Sequence, residues 1–542
     1  MIGSPDKAAY FLGIDVGTGS ARAGIFDVNG MLVGTDKCVI QLYRDAANIV
    51  EQSSSEIWAA VASATKGALA AADLSGDQIG GIGFDATCSL VVLGQGGDPL
   101  PIGHTNDPER NIIVWMDHRA IDQANRINAT GHRVLDYVGG RISPEMETPK
   151  LLWLKENRSE VYDASWQFMD LTDFLTWRAT GDLSRSVCTV TCKWTFLAHE
   201  NAWDASYFEQ VGLGDLIADD FARIGTNVVP AGTSLGAGLT DVAAAELGLT
   251  AGIPVAAGLI DAHAGGVGSV GANGGGGAEA NLAYVFGTSS CTMTSTQEPV
   301  FVPGVWGPYY SAMVPGLWLN EGGQSAAGAA IDTLLTLHPY SGTATEMAAQ
   351  ASMALPEWLA TEAESRLNDG TNVVSLAKGV QVVPEFLGNR APFADPHTRA
   401  VIAGLGMDQD LESLIALYVA GLCGIGYGLR QIIEAQSRAG ASIRRIVISG
   451  GAGRSPMIRQ LLADATGVEV AAPRTEEPVL LGAAILGAVA GEAFPSIPAA
   501  MLQMTQFSDH YIPQSGSTSE IHSTRFDIFK SLQEIARRGS NV

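Results

Sequence analysis

The sequence predicts an α/β protein built from two large domains of similar plan, and three observations support this fold class. The chain has 542 residues, 46% of them hydrophobic, so it is too long for one compact core. A strand, a Gly-Thr turn and a second strand occur early in each half, at Tyr10–Asp27 and Asn281–Ser295. Residues 444–464 have the pattern of a strand, a glycine turn and a helix. We therefore expect an internal structural repeat.

The first half should open with three antiparallel strands. Tyr10–Asp15 and Arg22–Asp27 are the first two, and Asn29-Gly30 favours a type I′ turn into the third, with positive φ at both residues. Ser53-x-x-Glu56 is a capping box that predicts a helix over residues 57–72. The apolar residues 80–93 predict a further strand.

The second half should begin after a glycine-rich segment, residues 271–281, where we place the domain break. We expect a long helix over residues 411–439 and an apolar helix over residues 480–490. The tail after Phe494 is polar and weakly patterned, and we assign it no chemistry. The predicted domains are residues 8–270, 280–495 and a C-terminal extension, 496–542.

The composition excludes several classes of partner. With 57 acidic and 32 basic residues, the formal net charge of −25 predicts no attraction to nucleic acid or anionic lipid. The chain does not open with a secretory signal pattern. The apolar run between Glu412 and Arg430 contains four glycines, and a buried helix explains it better than a membrane span. Six dispersed cysteines indicate reduced thiols in a cytoplasmic protein.

Three glycine turns could bind phosphate or nucleotide, because bare backbone lets N–H groups approach a ligand closely. Asp15, at the end of the first strand, could hold a hydrated Mg²⁺. The alternative at each turn is a plain glycine turn without a ligand. The candidate residues are Gly17, Thr18, Gly19, Ser20 and Arg22 in the first turn, Gly287, Thr288 and Ser289 in the second, and Gly450, Gly451, Gly453 and Ser455 in the third.

Neither familiar phosphate-loop pattern explains these turns. The chain has no Gly-Lys dipeptide for a Walker loop, and GTGSAR lacks the final glycine of the dinucleotide fingerprint. A Rossmann or P-loop interpretation is therefore weakened.

Asp261 is the candidate general base, since it ends a short apolar run before glycine-rich sequence. Phosphoryl transfer to a hydroxyl requires a positioned carboxylate and Mg²⁺. The alternative is an aspartate that caps a helix. His263 is interpreted as a packed or exposed side chain, and Cys188-x-x-x-Cys192 lacks a second pair at zinc spacing. GTSLG around Ser234 matches a hydrolase nucleophile elbow only formally.

Together, these motifs resemble the FGGY family of carbohydrate kinases over about residues 10–500. The order is Asp-x-Gly-Thr-x-Ser, an isolated Asp, Gly-Thr-Ser and Gly-Gly-x-x-x-Ser, with further matches at residues 150–157 and 388–405. The resemblance implies the two-lobed, ribonuclease-H-like α/β fold of actin, hexokinase and the Hsp70 ATPase, with the active site between the lobes. It implies ATP and Mg²⁺ as cofactors, Asp261 as base and magnesium ligand, Asp15 as magnesium ligand, and Gly328 among the nucleotide-binding residues.

Within the family, residues 15–27, 83–91 and 191–196 look most like the ribulokinase branch. That likeness implies that a lysine and a glutamate from opposite lobes contact a ketopentose. The expected substrate-binding residues are Asp85, Ala86, Asp117, Arg119, Lys193, Asp261 and Glu321.

The predicted reaction is conversion of D-ribulose to D-ribulose 5-phosphate. L-ribulose, ribitol, xylulose or glycerol are the alternative substrates. A different class of alternative is a non-catalytic ATP-binding protein like actin or the chaperone relatives, and a hydrolase based on Ser234 is a third. The only expected partner is a small sugar or polyol. Homodimers are common among relatives, but composition does not fix the subunit number.

Overall fold

The structure is a computed structural model that describes residues 10–46, 48–272, 274–367 and 372–539. Four predicted segments therefore extend partly outside the described residues: 8–270, 271–281, 280–495 and 496–542.

The first half contains twelve strands and ten α-helices. Its strands are β1 Tyr10–Val16, β2 Ser20–Asp27, β3 Leu32–Val39, β4 Tyr43–Ala46, β5 Ile49–Gln52, β6 Ile79–Ala86, β7 Leu90–Leu93, β8 Ile112–Ile113, β9 Gln167–Asp170, β10 Arg185–Ser186, β11 Val228–Val229 and β12 Leu259–Ile260. Its helices are α1 Ser54–Ala72, α2 Ile121–Ala129, α3 Glu147–Asn157, α4 Ser159–Ala164, α5 Leu171–Thr180, α6 Val187–Lys193, α7 Ala205–Gln210, α8 Asp215–Ala218, α9 Asp241–Leu247 and α10 Asp261–Val270. These counts refer to the described ranges.

The rest of the described chain adds nine strands and eight α-helices. The strands are β13 Asn281–Phe286, β14 Ser290–Thr296, β15 Trp306–Tyr310, β16 Trp318–Gln324, β17 Gln381–Val383, β18 Val401–Ala403, β19 Arg445–Ser449, β20 Glu469–Pro473 and β21 Phe507–Tyr511. The helices are α11 Gly328–Thr336, α12 Ser341–Gln350, α13 Leu355–Glu364, α14 Leu411–Arg438, α15 Pro456–Thr466, α16 Pro478–Ala490, α17 Ile497–Met504 and α18 Ser517–Gly539.

The two halves share one sheet plan, so the predicted internal repeat is present. The first sheet has the order β12-β6-β1-β2-β3, in which β1, β2 and β3 are antiparallel and β6 and β12 run parallel to β1. The second sheet repeats this as β20-β19-β13-β14-β16 and adds β15 and β21 at its edges. The Gly-Thr turns therefore occupy equivalent places in the two sheets.

Two local predictions need correction. Only Gly30 of the Asn29-Gly30 pair has positive φ (75°), so the turn is not type I′, although it does join β2 to β3. The Asp27 carboxylate accepts the N–H of Asn29 instead and stabilises a wider turn. Ser53 caps α1 by accepting the Glu56 N–H (3.2 Å), but the Glu56 carboxylate accepts the Gln41 N–H, so the capping box is half formed.

The apolar helix α14 is a core helix, as its glycine content predicted. By length and composition it could cross a membrane, but 78% of its most apolar window is buried against other elements. Its Gly424 lies where a Cβ would be 2.4 Å from the Val382 carbonyl oxygen, so glycine permits close packing on β17.

The tail beyond Phe494 is more structured than its polar composition suggested. Strand β21 pairs antiparallel with β20 and extends the second sheet. Helix α18 packs on α15 and β17, where the buried Arg525 guanidinium donates to the carbonyl of Val380. The predicted extension is therefore integrated with the second half.

Candidate active site

Three carboxylates lie at the carboxyl ends of neighbouring strands of the first sheet. Asp15 is the penultimate residue of β1, and its register partner in the parallel strand β6 is Asp85. Asp261 directly follows β12, the next strand, as the first residue of α10. The sheet thus brings together residues from three distant parts of the sequence.

Burial among like charges favours protonation of this group. Burial and the charges of Asp15 and Asp261 raise the pKa of Asp85 well above its usual value, and both Asp85 oxygens lack a described hydrogen-bond donor. Burial also raises the pKa of Asp15, although Arg22 opposes the rise. The pKa of Asp261 is raised to about 6, first by burial and then by Asp15. Such a group could share protons or hold a divalent cation.

Asp261 combines an accessible carboxylate with a fixed orientation. Its side chain is partly exposed to a cleft, and its Oδ1 accepts the N–H of Ala262 at 2.7 Å. Because it opens a helix, the positive end of the helix dipole stabilises its charged form. A carboxylate with a pKa near neutrality at the wall of a cleft is suited to accept a proton.

The first glycine turn lies beside this carboxylate group. Gly17 and Arg22 line the cleft, and the guanidinium of Arg22 pairs with both Asp15 and Glu477. Because Glu477 precedes α16, Arg22 links the two halves of the chain. The Thr18 hydroxyl accepts the indole N–H of Trp115 at 3.0 Å, and none of Thr18, Gly19 and Ser20 lines the cleft.

The second glycine turn is joined to the start of α11. The carbonyl of Gly287 accepts the Gly328 N–H at 2.9 Å. A Cβ at Gly328 would lie 2.7 Å from that oxygen, so this contact requires glycine. The turn residues Gly287 and Thr288 face a cavity, and Ser289 does not line it.

The third glycine turn has one strained and one open glycine. Gly450 has φ of 93°, and a Cβ there would be 2.5 Å from the Phe286 carbonyl oxygen. Gly451 has open space around it and faces both cavities described below, whereas Gly453 faces the smaller one. Ser455 uses its hydroxyl to cap α15 at the Ile458 N–H.

The turns from the two halves converge on two adjoining cavities. The smaller, about 600 Å³, is lined from the first half by Asp15, Gly17, Arg22 and Asp261 and from the second by Gly450, Gly451 and Gly453. The larger, about 780 Å³, is lined by Gly287, Thr288, Gly328, Gly451 and Ser455, together with Tyr418 and other residues of the second half. Because Gly451 and Arg454 line both, a long ligand could occupy the two cavities together.

A second polar group lies behind the smaller cavity. Lys193 ends α6 and Glu321 is on β16, so the two come from opposite halves and both are buried. Burial would lower the pKa of Lys193, but Cys88 and Glu321 raise it well above the usual value. Burial would raise the pKa of Glu321, but Lys193 and His263 lower it. Both side chains are therefore charged.

Trp306 and Arg390 complete this group, and sequence analysis did not assign them a role. The Lys193 ammonium lies 4.6 Å from the centre of the Trp306 ring, and the Arg390 guanidinium lies 4.4 Å from it. Arg390 also donates to Glu321 at 3.3 Å. Trp306 pairs with Glu321 across β15 and β16, next to a shift in the register of these strands. No local sequence pattern indicated this pairing.

Asp117 and Arg119 bind each other. Asp117 accepts the N–H of Val50 at 2.7 Å and three donors of Arg119, which also pairs with Glu51 at 2.8 Å. Neither residue lines the two cavities, and Ala86 and Asp85 do not line them either. The recorded partners of Asp117 and Arg119 therefore lie in the first half, at Val50, Glu51 and Trp153.

The motif around Ser234 does not have the geometry of a nucleophile elbow. Ser234 forms an isolated bridge with Ala256 and is exposed, and the next helix, α9, begins only at Asp241. A nucleophile elbow needs a strand that turns directly into a helix. The structure therefore does not support the hydrolase alternative.

A carboxylate in a cleft, with glycine turns from two repeated lobes around it, defines a phosphotransferase of the two-lobed type. The N-terminal domain model of the FGGY family of carbohydrate kinases matches residues 10–268, and the C-terminal domain model matches residues 282–491. The chain belongs to the FGGY family and is a sugar phosphotransferase, for which ATP is the substrate that the family implies.

Related proteins support this membership along the whole chain. A human FGGY carbohydrate kinase domain-containing protein is 44% identical over 541 residues, 98% of this chain and 97% of its own length. The D-ribulokinase of Saccharomyces cerevisiae is 38% identical over 520 residues, 90% of this chain and 73% of its own.

Solved structures show the same fold. A xylulose kinase from Rhodospirillum rubrum matches with a TM-score of 0.79 at 20% identity, over 98% of this chain and 100% of its own. A glycerol kinase from Plasmodium falciparum with ADP matches with a TM-score of 0.78 at 16% identity, over 97% of this chain and 98% of its own. The predicted two-lobed actin- and hexokinase-like fold is confirmed.

Proposed function

We propose that this kinase transfers the terminal phosphate of ATP to the terminal hydroxyl of D-ribulose, which gives D-ribulose 5-phosphate and ADP. The observation that carries the proposal is the position of Asp261, at the wall of the cleft where the glycine turns of both halves meet. Similarity to a protein named D-ribulokinase supports the choice of sugar.

Asp261 is the proposed base. Its carboxylate would take the proton of the attacking hydroxyl, the hydroxyl oxygen would form a bond to the terminal phosphorus, and the bond from phosphorus to ADP would break. The raised pKa of Asp261, about 6, suits a group that must accept a proton near neutral pH. Lys193 and Glu321 would hold the sugar hydroxyls from opposite lobes.

The nucleotide would occupy both cavities. Its phosphates would lie in the smaller cavity against Gly17 and Gly450, and its adenosine would lie in the larger one, beside Gly451 and Tyr418. The combined space and the shared lining at Gly451 support this arrangement. Bare glycine backbone would offer N–H groups to phosphate oxygens.

Mg²⁺ fits the carboxylate group. Asp15, Asp85 and Asp261 offer hard oxygen ligands, and the two Asp85 oxygens are buried without a described donor, which is costly unless a proton or cation compensates them. The ion would neutralise charge on the phosphates. We propose that Asp15 and Asp261 bind the ion and that Asp85 lies behind them.

The lobes are proposed to divide at residues 271–281, between α10 and β13. The two family matches end at residue 268 and resume at residue 282, which supports this division. Closure about this segment would exclude water, which otherwise competes as a phosphoryl acceptor. We propose the cytoplasm as the compartment, and six free thiols support it.

Replacement of Asp261 by Asn tests the base. We expect kcat for sugar phosphorylation to fall by roughly 10²- to 10⁴-fold, while ATP binding measured by calorimetry is retained. Asp241→Asn is the matched control, because Asp241 also opens a helix but is exposed outside the cleft. Normal turnover in the Asp261→Asn variant would show that the assigned base is wrong.

A sugar panel in a coupled ADP-release assay tests the substrate. D-ribulose should give the highest kcat/KM among D-ribulose, L-ribulose, xylulose, ribitol and glycerol. A higher value for another member would reassign the sugar. Slow ADP release that no sugar stimulates would instead favour the non-catalytic ATP-binding alternative.

A further inference from the structure

Three potential metal ligands meet in a buried cluster behind the sugar-side residues. Cys188 and Cys192 lie one turn apart on α6, and His263 lies in the first turn of α10. All three are buried, and their ligand atoms lie within 4.8 Å of one another. The sequence around Cys188 and Cys192 has no second pair of ligands at zinc spacing. The histidine comes from a distant segment, which only the fold brings close to the two cysteines.

The surroundings of this cluster resemble the second layer of a metal site. His263 turns Nδ1 toward Cys188 Sγ, at 3.1 Å, and Nε2 toward the Glu321 carboxylate, at an ion-pair distance of 3.5 Å without hydrogen-bond geometry. A histidine that binds a metal through one nitrogen usually donates the other N–H to a carboxylate, which fixes the ring. The Ile260 N–H also donates to Cys188 Sγ at 3.4 Å.

We propose that Cys188, Cys192 and His263 bind a transition-metal ion of borderline softness, with Zn²⁺ as the first choice. The ligands would be two sulfurs and the Nδ1 atom of the imidazole, with water in the fourth position. Thiolate and imidazole select such ions, whereas Mg²⁺ prefers oxygen. This site is therefore chemically separate from the carboxylates at the cleft.

The position of the site gives the ion a structural consequence. Helix α6 ends at Lys193, and helix α10 begins at Asp261, so an ion held by both helices would fix these two residues relative to each other. Only this consequence rests on the proposed function. Metal binding itself is measured without turnover, so its failure and the failure of the proposed reaction are distinguishable.

Cobalt substitution tests the site in the full-length, reduced chain. Co²⁺ alone should produce a thiolate-to-cobalt charge-transfer band and the visible bands of a tetrahedral ion, which saturate at one ion per chain. Zn²⁺ should remove these bands, and Mg²⁺ should not. Absence of the charge-transfer band, when all six thiols titrate as reduced after denaturation, would overturn the proposal.

Variants assign the ligands. Cys192→Ser and His263→Asn should each lose the charge-transfer band or weaken Co²⁺ binding at least tenfold, provided that their circular dichroism and ATP binding are normal. Cys423→Ser, which removes a buried thiol in α14, should keep the band. An unchanged band in both ligand variants would overturn the assignment.

X-ray absorption of the zinc-loaded wild-type chain gives a result that does not depend on the folding of any variant. We expect two sulfur neighbours at about 2.3 Å and a nitrogen neighbour at about 2.0 Å from the zinc. A shell of oxygen neighbours alone would place the ion at the carboxylates and refute the site.

Discussion

At the scale of single residues, the charge on Lys193 is the clearest sign of a ligand. Its side chain is only 5% exposed, and its ammonium makes no hydrogen bond or ion pair with any residue that the structure describes. The Trp306 ring and the more distant Glu321 charge stabilise it. Because a buried ammonium with unused donors is costly, a ligand with several oxygens would complete the site.

Replacement of Lys193 by Met should therefore weaken sugar binding selectively. We expect the sugar KM to rise roughly 10- to 100-fold, since a hydrogen bond to a charged group contributes about 1.5–3 kcal/mol. Steady-state kinetics with ATP at saturation measures it. Lys66→Met, in the exposed part of α1, is the control and should leave KM unchanged. An equal rise in KM for ATP would argue against a specific role in sugar binding.

At the scale of secondary-structure elements, α16 shows why the two halves cannot be treated as independent. In sequence it lies between β20 and β21 of the second sheet, but it packs on β1, β6 and α10 of the first half. The contact is so close that a Cβ at Gly81 would lie 2.0 Å from the Gly487 carbonyl oxygen. Glycines on both sides make this backbone contact possible.

Gly81→Ala should therefore destabilise the protein. The added methyl group would force α16 away from β6, at a cost of about 1–3 kcal/mol. Denaturant unfolding measures this change. Gly342→Ala in α12 is the matched control, because nothing lies within 4 Å of its Cβ position. A stability of Gly81→Ala equal to that of the control would show that this contact is loose.

The docking of α18 should make stability depend on pH. His522 is buried next to the Tyr427 hydroxyl, at 2.9 Å, and burial, with Arg525 and Arg430, lowers the pKa of His522 to about 4. In the unfolded chain the pKa of this histidine is higher. At any pH between the folded and unfolded pKa values, the unfolded state therefore binds more protons than the folded state. The free energy of unfolding consequently falls as the pH falls through this range. The loss from pH 7.5 to 5 is about 2 kcal/mol from this group.

Urea unfolding at the two pH values measures that loss. The His522→Gln variant should lose about 2 kcal/mol less than the wild type over the same interval, because glutamine does not titrate. Identical pH dependence in both proteins would contradict neutral burial of His522.

At the scale of the whole molecule, local patterns predicted the strands and turns, whereas contacts between distant segments were not predictable. Glycine turns, β-branched runs and the long helix α14 carry their own sequence signals. The placement of Asp85 beside Asp15 follows from the parallel pairing of β6 with β1, which no local pattern indicated. Nothing local indicated that Arg119 would pair with Glu51 or that His263 would meet Cys188.

The same distant contacts would make the proposed lobe closure a property of the whole chain. Lys193 belongs to the first half and Glu321 to the second, so a sugar held by both would join the lobes. A ligand shifts an equilibrium only by its difference in affinity for the two states. In the proposed mechanism, the open state would offer the sugar one of these two partners, and the closed state would offer both.

We therefore expect D-ribulose and a non-hydrolysable ATP analogue together to reduce the radius of gyration, measured by small-angle X-ray scattering, more than either ligand alone. In the Lys193→Met variant, the radius of gyration should fall only by the amount that the nucleotide causes, because the bound sugar would contact one lobe. Lys66→Met should behave like the wild type. Since closure requires both lobes to hold the sugar, full compaction of the Lys193→Met variant by saturating sugar would refute this coupling.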